Sequence, residues 1–208
     1  EISNALLEEY IDHLLQCGRL DGSGGLSPKS VSDILVVIKR SIRYAQENNY
    51  LVICSAAGLS VKRSRIDMRV LSKTEQQQLE YVLMQDMDLT KFTVLLCLYT
   101  GIRIGEACAL RWEHIRLDSG TLEVRETMQR IQAPRSMESK TRIIITEPKS
   151  ASSNRDIPLP QFLMQHAVRF QADRNAFVLT GEENQFIEPR TLQNRFRKYV
   201  KASGIEHA

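Results

Sequence analysis

The hydrophobic period of this chain changes twice, and this change restricts the fold more than any other sequence feature. Apolar residues recur at helical spacing up to about residue 110, alternate between residues 115 and 158, and return to helical spacing from residue 160. This order predicts a mainly α fold with a small antiparallel β-sheet. Helices are predicted at 4–17, 28–48, 73–85, 89–99, 103–110, 160–172 and 189–202, and strands at 115–117, 122–126, 141–146 and 155–158.

Two units are predicted on either side of a basic connection. Residues 1–60 carry two amphipathic helices, the second of which starts with an N-cap serine, Ser27, followed by Pro28. Residues 61–70 are basic and lack periodicity, so we interpret them as an inter-domain linker. A capping box at Ser72-Lys73-Thr74-Glu75 then starts a second unit, residues 71–208.

Positive charge is concentrated in two segments. The formal net charge of the 208 residues is only +3. Residues 29–65, however, hold seven basic residues against two acidic ones, and residues 189–201 hold five basic residues and no acidic one. Clusters of this kind are needed to contact the phosphates of a nucleic acid. Solvated helix faces explain a single cluster equally well.

Composition argues against several classes of protein. The four cysteines are widely spaced without a Cys-x-x-Cys pair, which argues against a disulfide framework or a zinc site and favours a reducing compartment. The longest mainly apolar stretch, 92–100, is too short to cross a bilayer, and the acidic residues near position 1 are unlike a signal peptide. The four histidines are scattered, so no metal or other cofactor is predicted.

The first stretch with chemical potential is Thr-Gly-Ile-Arg-Ile-Gly-Glu at residues 100–106. Arg103 and Glu106 are three residues apart and share one face at the start of a predicted helix. A guanidinium group at a helix start can hold a phosphate through two parallel hydrogen bonds, and Glu106 can orient a neighbouring group. Read by itself, the pair also fits a surface ion pair.

The second stretch, residues 146–159, contains Lys149 between two predicted strands. A lysine at the tip of a β-hairpin can reach away from its sheet, and its ammonium group can protonate a departing oxygen. Read by itself, Lys149 also fits an ordinary exposed loop lysine.

Together the two stretches resemble the catalytic domain of the tyrosine recombinases, the phage integrase family. The T-G-x-R-x-x-E-x-x-x-L box of that family is matched by Thr100, Gly101, Arg103, Glu106 and Leu110. Its P-K-x-x-x-S-x-R-x-I-P-L hairpin is matched by Pro148, Lys149, Ser153, Arg155, Ile157, Pro158 and Leu159. Because of a long insert at 128–142, before the lysine hairpin, the chain most resembles the integrases of phages and conjugative transposons.

The resemblance implies a helical core-binding domain of the SAM-like type in residues 1–60 and an incomplete catalytic domain in residues 71–208. It also implies metal-free transesterification, in which a tyrosine attacks a DNA phosphodiester and a 5′-hydroxyl later attacks the 3′-phosphotyrosyl bond. Arg103 would then be a catalytic arginine, Lys149 would protonate the leaving 5′-oxygen, and Glu106 would support the arginine cluster. No cofactor is implied.

The resemblance assigns no nucleophile within the sequence. The family's second box, H-x-x-R, and its nucleophilic tyrosine are expected beyond Ile205, whereas Tyr81, Tyr99 and Tyr199 precede that position. His207 is not assigned to the box. We therefore expect this chain to be a piece of a recombinase that binds DNA without cleaving it by itself.

The implied partner is double-stranded DNA, held between the two domains. The predicted DNA contacts are Lys39, Arg40, Arg43, Lys62, Arg63, Arg65 and Arg155. Arg40 and Arg43 are the candidate base readers among them. Lys39, Arg40 and Arg43 are predicted to face outward from their helix. The family acts as a tetramer on paired DNA sites, whereas the isolated chain is expected to be a monomer. We expect it to be a cytoplasmic protein that is encoded by a bacterium or a phage. The alternatives are a non-catalytic helical DNA-binding regulator and a protein-interaction module.

Overall fold

The computed structural model describes residues 2–50, 54–62, 69–134, 139–147 and 153–205. The chain divides into two compact units, Glu1–Met68 and Arg69–Ala208. Each unit has its own hydrophobic core, and the two clusters of buried residues have no member in common among the described residues. No helix in the described ranges is long and apolar enough to cross a membrane.

The described residues of the first unit form two α-helices, α1 (Asn4–Cys17) and α2 (Pro28–Glu47). Both start as the sequence predicts, because the Ser27 hydroxyl accepts a hydrogen bond from the N–H of Ser30, and Ser3 caps α1 in the same way. The buried stripes of the helices face a common core, which the segment after α2 completes with Cys54, Ala56 and Leu59. Val61, which the sequence places in the linker, also packs against this core.

The described part of the second unit has five further α-helices, and their order agrees with the prediction. The capping box is present, since Ser72 Oγ accepts from Glu75 N at 3.2 Å and the Glu75 carboxylate accepts from Ser72 N at 2.8 Å. The helices are α3 (Lys73–Met84), α4 (Leu89–Thr100), α5 (Ile104–Ala109), α6 (Gln161–Phe170) and α7 (Pro189–Ala202).

The strands form two antiparallel sheets, where the sequence predicted one. They are β1 (Ile115–Arg116), β2 (Thr121–Val124), β3 (Thr127–Gln132), β4 (Thr141–Thr146) and β5 (Arg155–Pro158). One sheet has the order β1-β2-β5, and β3 pairs with β4 over six residues in the other. Strand β3 lies mostly within the 128–142 insert and is not predicted from the sequence. Met128 is its single buried residue, so no apolar alternation results.

Helix α4 is at the centre of the second unit. Phe92, Leu95 and Leu96 are almost fully buried in it, and the Phe92 ring stacks on Trp112 with ring centroids 6.1 Å apart. Burial of each large side chain of this kind stabilises the fold by about 1.5–3 kcal/mol. The residues that follow α4 are therefore attached to a well-packed base.

Candidate active site

A turn at the end of α4 places Arg103. Gly101 ends the helix with a left-handed φ of 66°, and its N–H donates to the Cys97 carbonyl at 3.0 Å. Glycine adopts this conformation without steric cost, which is why helices so often end at one. Ile102 is then buried and Arg103 stands directly before α5. The Gly101–Ile102 turn thus fixes where the Arg103 side chain starts.

Glu106 lies in the first turn of α5 and is buried, with 5% of its surface exposed. Its carboxylate accepts a hydrogen bond from the backbone N–H of Arg103 at 2.7 Å and another from Arg103 Nη1 at 2.9 Å. Burial distinguishes this contact from an ordinary surface ion pair, because a buried carboxylate needs partners to offset its lost hydration.

Arg155 reaches the same carboxylate from β5, 49 residues further along the chain. Its Nη2 donates to Glu106 Oε2 at 2.8 Å and its Nη1 to Oε1 at 3.2 Å, while Nη1 also lies 3.2 Å from the Ser153 carbonyl. Glu106 therefore accepts four hydrogen bonds from two arginines. A carboxylate has about four acceptor positions, so Glu106 has no acceptor position left over.

The charges of this cluster favour an anion on its outer side. Burial by itself raises the pKa of Glu106, but the hydrogen bonds from Arg155 and Arg103 outweigh it and hold that pKa below its ordinary value. The bond to Glu106 raises the pKa of Arg155. Two guanidinium groups against one carboxylate leave one positive charge. The Arg103 side chain is 73% exposed and that of Arg155 31% exposed, so part of each side chain is accessible to an oxyanion.

Gly105 brings the β3–β4 sheet against this cluster. A Cβ atom on Gly105 would lie 2.7 Å from both the Met128 carbonyl oxygen and Thr127 Oγ1. Only the missing side chain allows β3 to approach α5 this closely. The glycine lies between Arg103 and Glu106 in the sequence, and it is the signal that would have predicted this contact.

Lys149 lies outside the described residues, within the segment that joins β4 to β5. The hairpin predicted around it is wrong in one respect, because β4 pairs with β3 and β5 pairs with β2. Among the described residues β4 and β5 do not pair with each other. The reason is the insert, which supplies β3 as a partner for all six residues of β4.

In the first unit the structure corrects the predicted orientation of one candidate DNA-contact residue. Lys39 does not face outward freely, because its side chain is half-buried and its Nζ donates to the Leu59 carbonyl at 2.7 Å. Arg40, Arg43 and Lys62 are exposed. Arg63 and Arg65 lie outside the described residues.

A basic face on α7 was counted in the sequence analysis but not assigned to a site. Leu192 and Val200 are buried on one side of this helix. On the other side, four cations lie within about 120° of the helix surface at 3.6 residues per turn, and all are exposed: Arg190, Arg197, Lys198 and Lys201. The signal was available in the separation of these cations from the apolar stripe.

The phage integrase family model matches residues 69–208, which is the whole second unit. The chain belongs to the phage integrase family. The match includes every residue of the arginine–glutamate cluster, and it confirms the interpretation of the two sequence motifs as those of a tyrosine recombinase of phage or transposon type.

Two curated relatives of this chain come from Escherichia coli K12. It is 31% identical to the prophage integrase IntR over 106 residues, which is 50% of this chain and 25% of that protein. It is 26% identical to the putative defective protein IntQ over 148 residues, which is 69% of this chain and 37% of that protein. The chain thus spans between a quarter and two fifths of the length of these relatives.

Solved structures confirm the predicted fold class, helical with small antiparallel sheets. The Tn1549 transposon integrase in complex with transposon right end DNA matches with a TM-score of 0.72 at 16% identity, over 100% of this chain and 66% of that one. A lambda integrase dimer bound to a core site matches at 0.59 and 16% identity, over 98% and 64%. A lambda integrase tetramer on a Holliday junction matches at 0.59 and 15% identity, over 98% and 54%.

Proposed function

We propose that this integrase takes part in site-specific cleavage and rejoining of duplex DNA by transesterification. The observation that carries the proposal is the Glu106 carboxylate, which is buried and holds two arginines from distant parts of the chain whose side chains stay partly exposed. Membership of the phage integrase family supports the same reaction, as do the similar integrases solved on DNA.

Each residue of the cluster has a role in the proposed step. A tyrosine hydroxyl, for which no residue of this chain is assigned, loses its proton to water and attacks the phosphorus. A bond forms from phosphorus to the tyrosine oxygen, and the bond from phosphorus to the 5′-oxygen breaks. Negative charge grows on the non-bridging oxygens, to which Arg103 and Arg155 donate hydrogen bonds. Lys149 gives its proton to the departing 5′-oxygen. In the reverse attack a 5′-hydroxyl displaces the tyrosine.

Glu106 acts as a positioning residue in this scheme. An isolated carboxylate near the scissile phosphate would repel it, but both Glu106 oxygens are already occupied by guanidinium groups. The carboxylate therefore fixes the orientation of the two guanidinium groups and neutralises one of their two positive charges. The guanidinium and ammonium groups supply the positive charge, so the scheme requires no metal ion or cofactor.

Duplex DNA is the proposed partner, and its contacts are mainly to phosphate. These contacts are supplied by the exposed Arg40, Arg43 and Lys62 and by the basic face of α7. Contacts to phosphate carry little sequence information. Arg40 and Arg43 remain the proposed base readers. The lambda integrase tetramer on a Holliday junction supports a four-subunit assembly for the complete recombinase, whereas we expect this chain to be a monomer when isolated.

Binding of a duplex of about 40 base pairs at several salt concentrations tests the DNA part of the proposal. We expect affinity to fall steeply with salt, because each phosphate contact releases counterions and adds about 0.9 to the slope of log K against log salt. Arg103→Ala is expected to reduce that slope by about 1. The matched control is Arg174→Ala, which removes another exposed cation of the second unit. Salt-independent or absent binding would contradict the proposal.

Covalent trapping separates the recombinase from a DNA-binding regulator. The protein used is the longest product of the reading frame that contains these residues, with a duplex selected by it from a random pool. We expect a protein–DNA adduct that Lys149→Ala abolishes. A sulfur in place of the bridging 5′-oxygen restores cleavage by Lys149→Ala, because a thiolate leaves without protonation, but does not restore cleavage by Arg103→Ala. DNA binding without any adduct would indicate the regulator.

A further inference from the structure

The β3–β4 ribbon has two different faces. In the antiparallel register Met128 pairs with Ile145 and Arg130 with Ile143, and these residues form the inner face, on which Met128, Ile143 and Ile145 join the core cluster. The outer face is formed by the alternate residues, Thr127, Gln129, Ile131, Arg142, Ile144 and Thr146. Within the described part of the chain, neither isoleucine of the outer face packs against either hydrophobic cluster.

The inner face holds the ribbon in a fixed position. Arg130 Nε donates to Glu188 Oε2 at 3.0 Å, its Nη2 donates to the other oxygen, and its Nη1 donates to Thr141 Oγ1 at 2.7 Å. Glu188 stands directly before α7, so the pair ties the ribbon to the start of the basic helix. The outer face is therefore presented by a rigid element rather than by a loose loop.

The base of the ribbon adjoins the candidate active site. Thr127 and Thr146 are the paired residues at this end, and Gly105 lies directly against Thr127 and Met128. Six paired residues at about 3.3 Å each make a ribbon about 20 Å long. A duplex whose phosphate lies at Arg103 and Arg155 therefore comes within reach of the ribbon, over a length of several base pairs.

The chemistry of the outer face fits the edges of DNA bases. A two-stranded ribbon fits the major groove, where glutamine pairs with adenine, arginine with guanine, and apolar or threonine methyl groups with the thymine methyl. Gln129, Arg142 and three methyl-bearing residues, Ile131, Ile144 and Thr146, are available for such contacts, whereas the Thr127 side chain lies against Gly105 of α5. The face has no acidic residue. Neither Gln129 nor Arg142 makes a side-chain hydrogen bond or ion pair with another described residue.

The size of the face argues against a protein partner. A stable protein–protein interface takes about 20–30 residues from each side, whereas six residues form this surface. We propose that the outer face of the β3–β4 ribbon enters a groove of duplex DNA beside the arginine site. The proposal deepens the proposed function and rests on it, since it needs DNA at Arg103 and Arg155.

Photo-crosslinking tests the surface directly. A benzoylphenylalanine at position 144 replaces an outer-face isoleucine and leaves the inner face intact, and a second at position 165, an exposed position on α6, serves as control. With a mixed-sequence duplex of about 40 base pairs, we expect a protein–DNA crosslink from position 144 and none from position 165. A crosslink to a second copy of the chain, or no crosslink, would overturn the proposal.

Affinity measurements with side-chain deletions provide the second arm. Arg142→Ala is expected to weaken binding to the same duplex about tenfold and to lower the salt slope by about 1 if its contact is to phosphate. If its contact is to a base, the slope is unchanged and the variant loses the guanine preference found by selection from a random pool. Arg174→Ala is the matched control. Equal affinity, slope and preference for Arg142→Ala and the original protein would overturn the proposal.

Failure of the proposal is distinguishable from failure of the proposed function. In one outcome the original protein binds the duplex and Arg103→Ala weakens that binding, but the ribbon variants bind as well as the original protein. The ribbon assignment is then wrong, and the assignment of the active site stands. If the original protein does not bind the duplex at all, both are wrong.

Discussion

At the scale of single residues, Glu106 determines the geometry of the site. It accepts every hydrogen bond that connects α5 to β5 at this point, and it does so with 5% of its surface exposed. Removing one partner of a buried charged contact leaves the others without compensation. The consequences of changing Glu106 should therefore appear in stability as well as in DNA binding.

Glu106→Gln is expected to lower the free energy of unfolding of the second unit by about 1–3 kcal/mol, because one of the two acceptor oxygens is replaced by an NH₂ group that faces the N–H donors of Arg103 and Arg155. The single tryptophan, Trp112, lies in the core of this unit, so its fluorescence in urea measures the change. Glu183→Gln alters an exposed glutamate and is expected to have no effect. Equal stability of the two variants would contradict the proposed role of Glu106.

The difference in the free energy of unfolding between the original protein and Glu106→Gln should depend on pH in one direction. The folded-state pKa of Glu106 lies below its ordinary value of 4.5, so the folded protein binds this proton less readily than the unfolded chain does. The stabilisation is fully present above about pH 4.5 and is lost as the pH falls through the lower folded-state pKa. We expect the gap between the original protein and Glu106→Gln to narrow in that acidic window. A gap that widens on acidification would contradict this assignment.

Gly105→Ala provides a test in which the sign of the change is decisive. An alanine in a helix is ordinarily about 1 kcal/mol more favourable than a glycine. Here its Cβ would lie 2.7 Å from the Met128 carbonyl oxygen, so β3 must move away from α5. We expect a loss of about 1–3 kcal/mol in Trp112-monitored unfolding. A stabilised variant would show that the close approach of β3 is not required.

At the scale of elements, the start of α3 shows how a local signal acts. Ser72→Ala removes the acceptor for the Glu75 N–H and is expected to cost about 1 kcal/mol. The measurement is again urea unfolding followed by Trp112. Ser60→Ala alters an exposed serine of the other unit and should leave the transition unchanged. An unchanged midpoint for Ser72→Ala would mean that the cap contributes nothing to this unit.

Elements with strong local signals were predictable, and elements defined by distant partners were not. Helix α2 was predicted because Val31, Leu35 and Ile42 recur on one face. Strand β3 was missed because its partner β4 lies beyond an intervening loop and only Met128 is buried. Lys39 was expected to face outward because the Leu59 carbonyl that it contacts comes from a later segment.

The same limit applies to the candidate site. The pairing of Arg103 with Glu106 follows from their spacing of three residues. The contact of Arg155 with Glu106 depends on the pairing of β5 with β2, which no local pattern encodes. Sequence motifs could therefore supply the names of the three residues but not the fact that one carboxylate joins them.

At the scale of the whole molecule, the two separate cores predict independent folding. A fragment of residues 69–208 is expected to show native near-ultraviolet circular dichroism and a thermal midpoint within a few degrees of that of the same unit in the full chain. The reason is that the core of this unit includes none of the described residues of the first unit. A fragment that binds a hydrophobic dye and lacks near-ultraviolet signal would contradict this expectation.

The shared carboxylate also limits the routes by which this site can change in evolution. A single substitution at Arg155 leaves Glu106 with two of its four donors, and a single substitution at Glu106 leaves two adjacent cations without their common anion. A single substitution that removes the charge at either position is therefore expected to lower the stability of the second unit. A descendant with a different arrangement here has to acquire compensating changes together, or first gain stability elsewhere in the second unit.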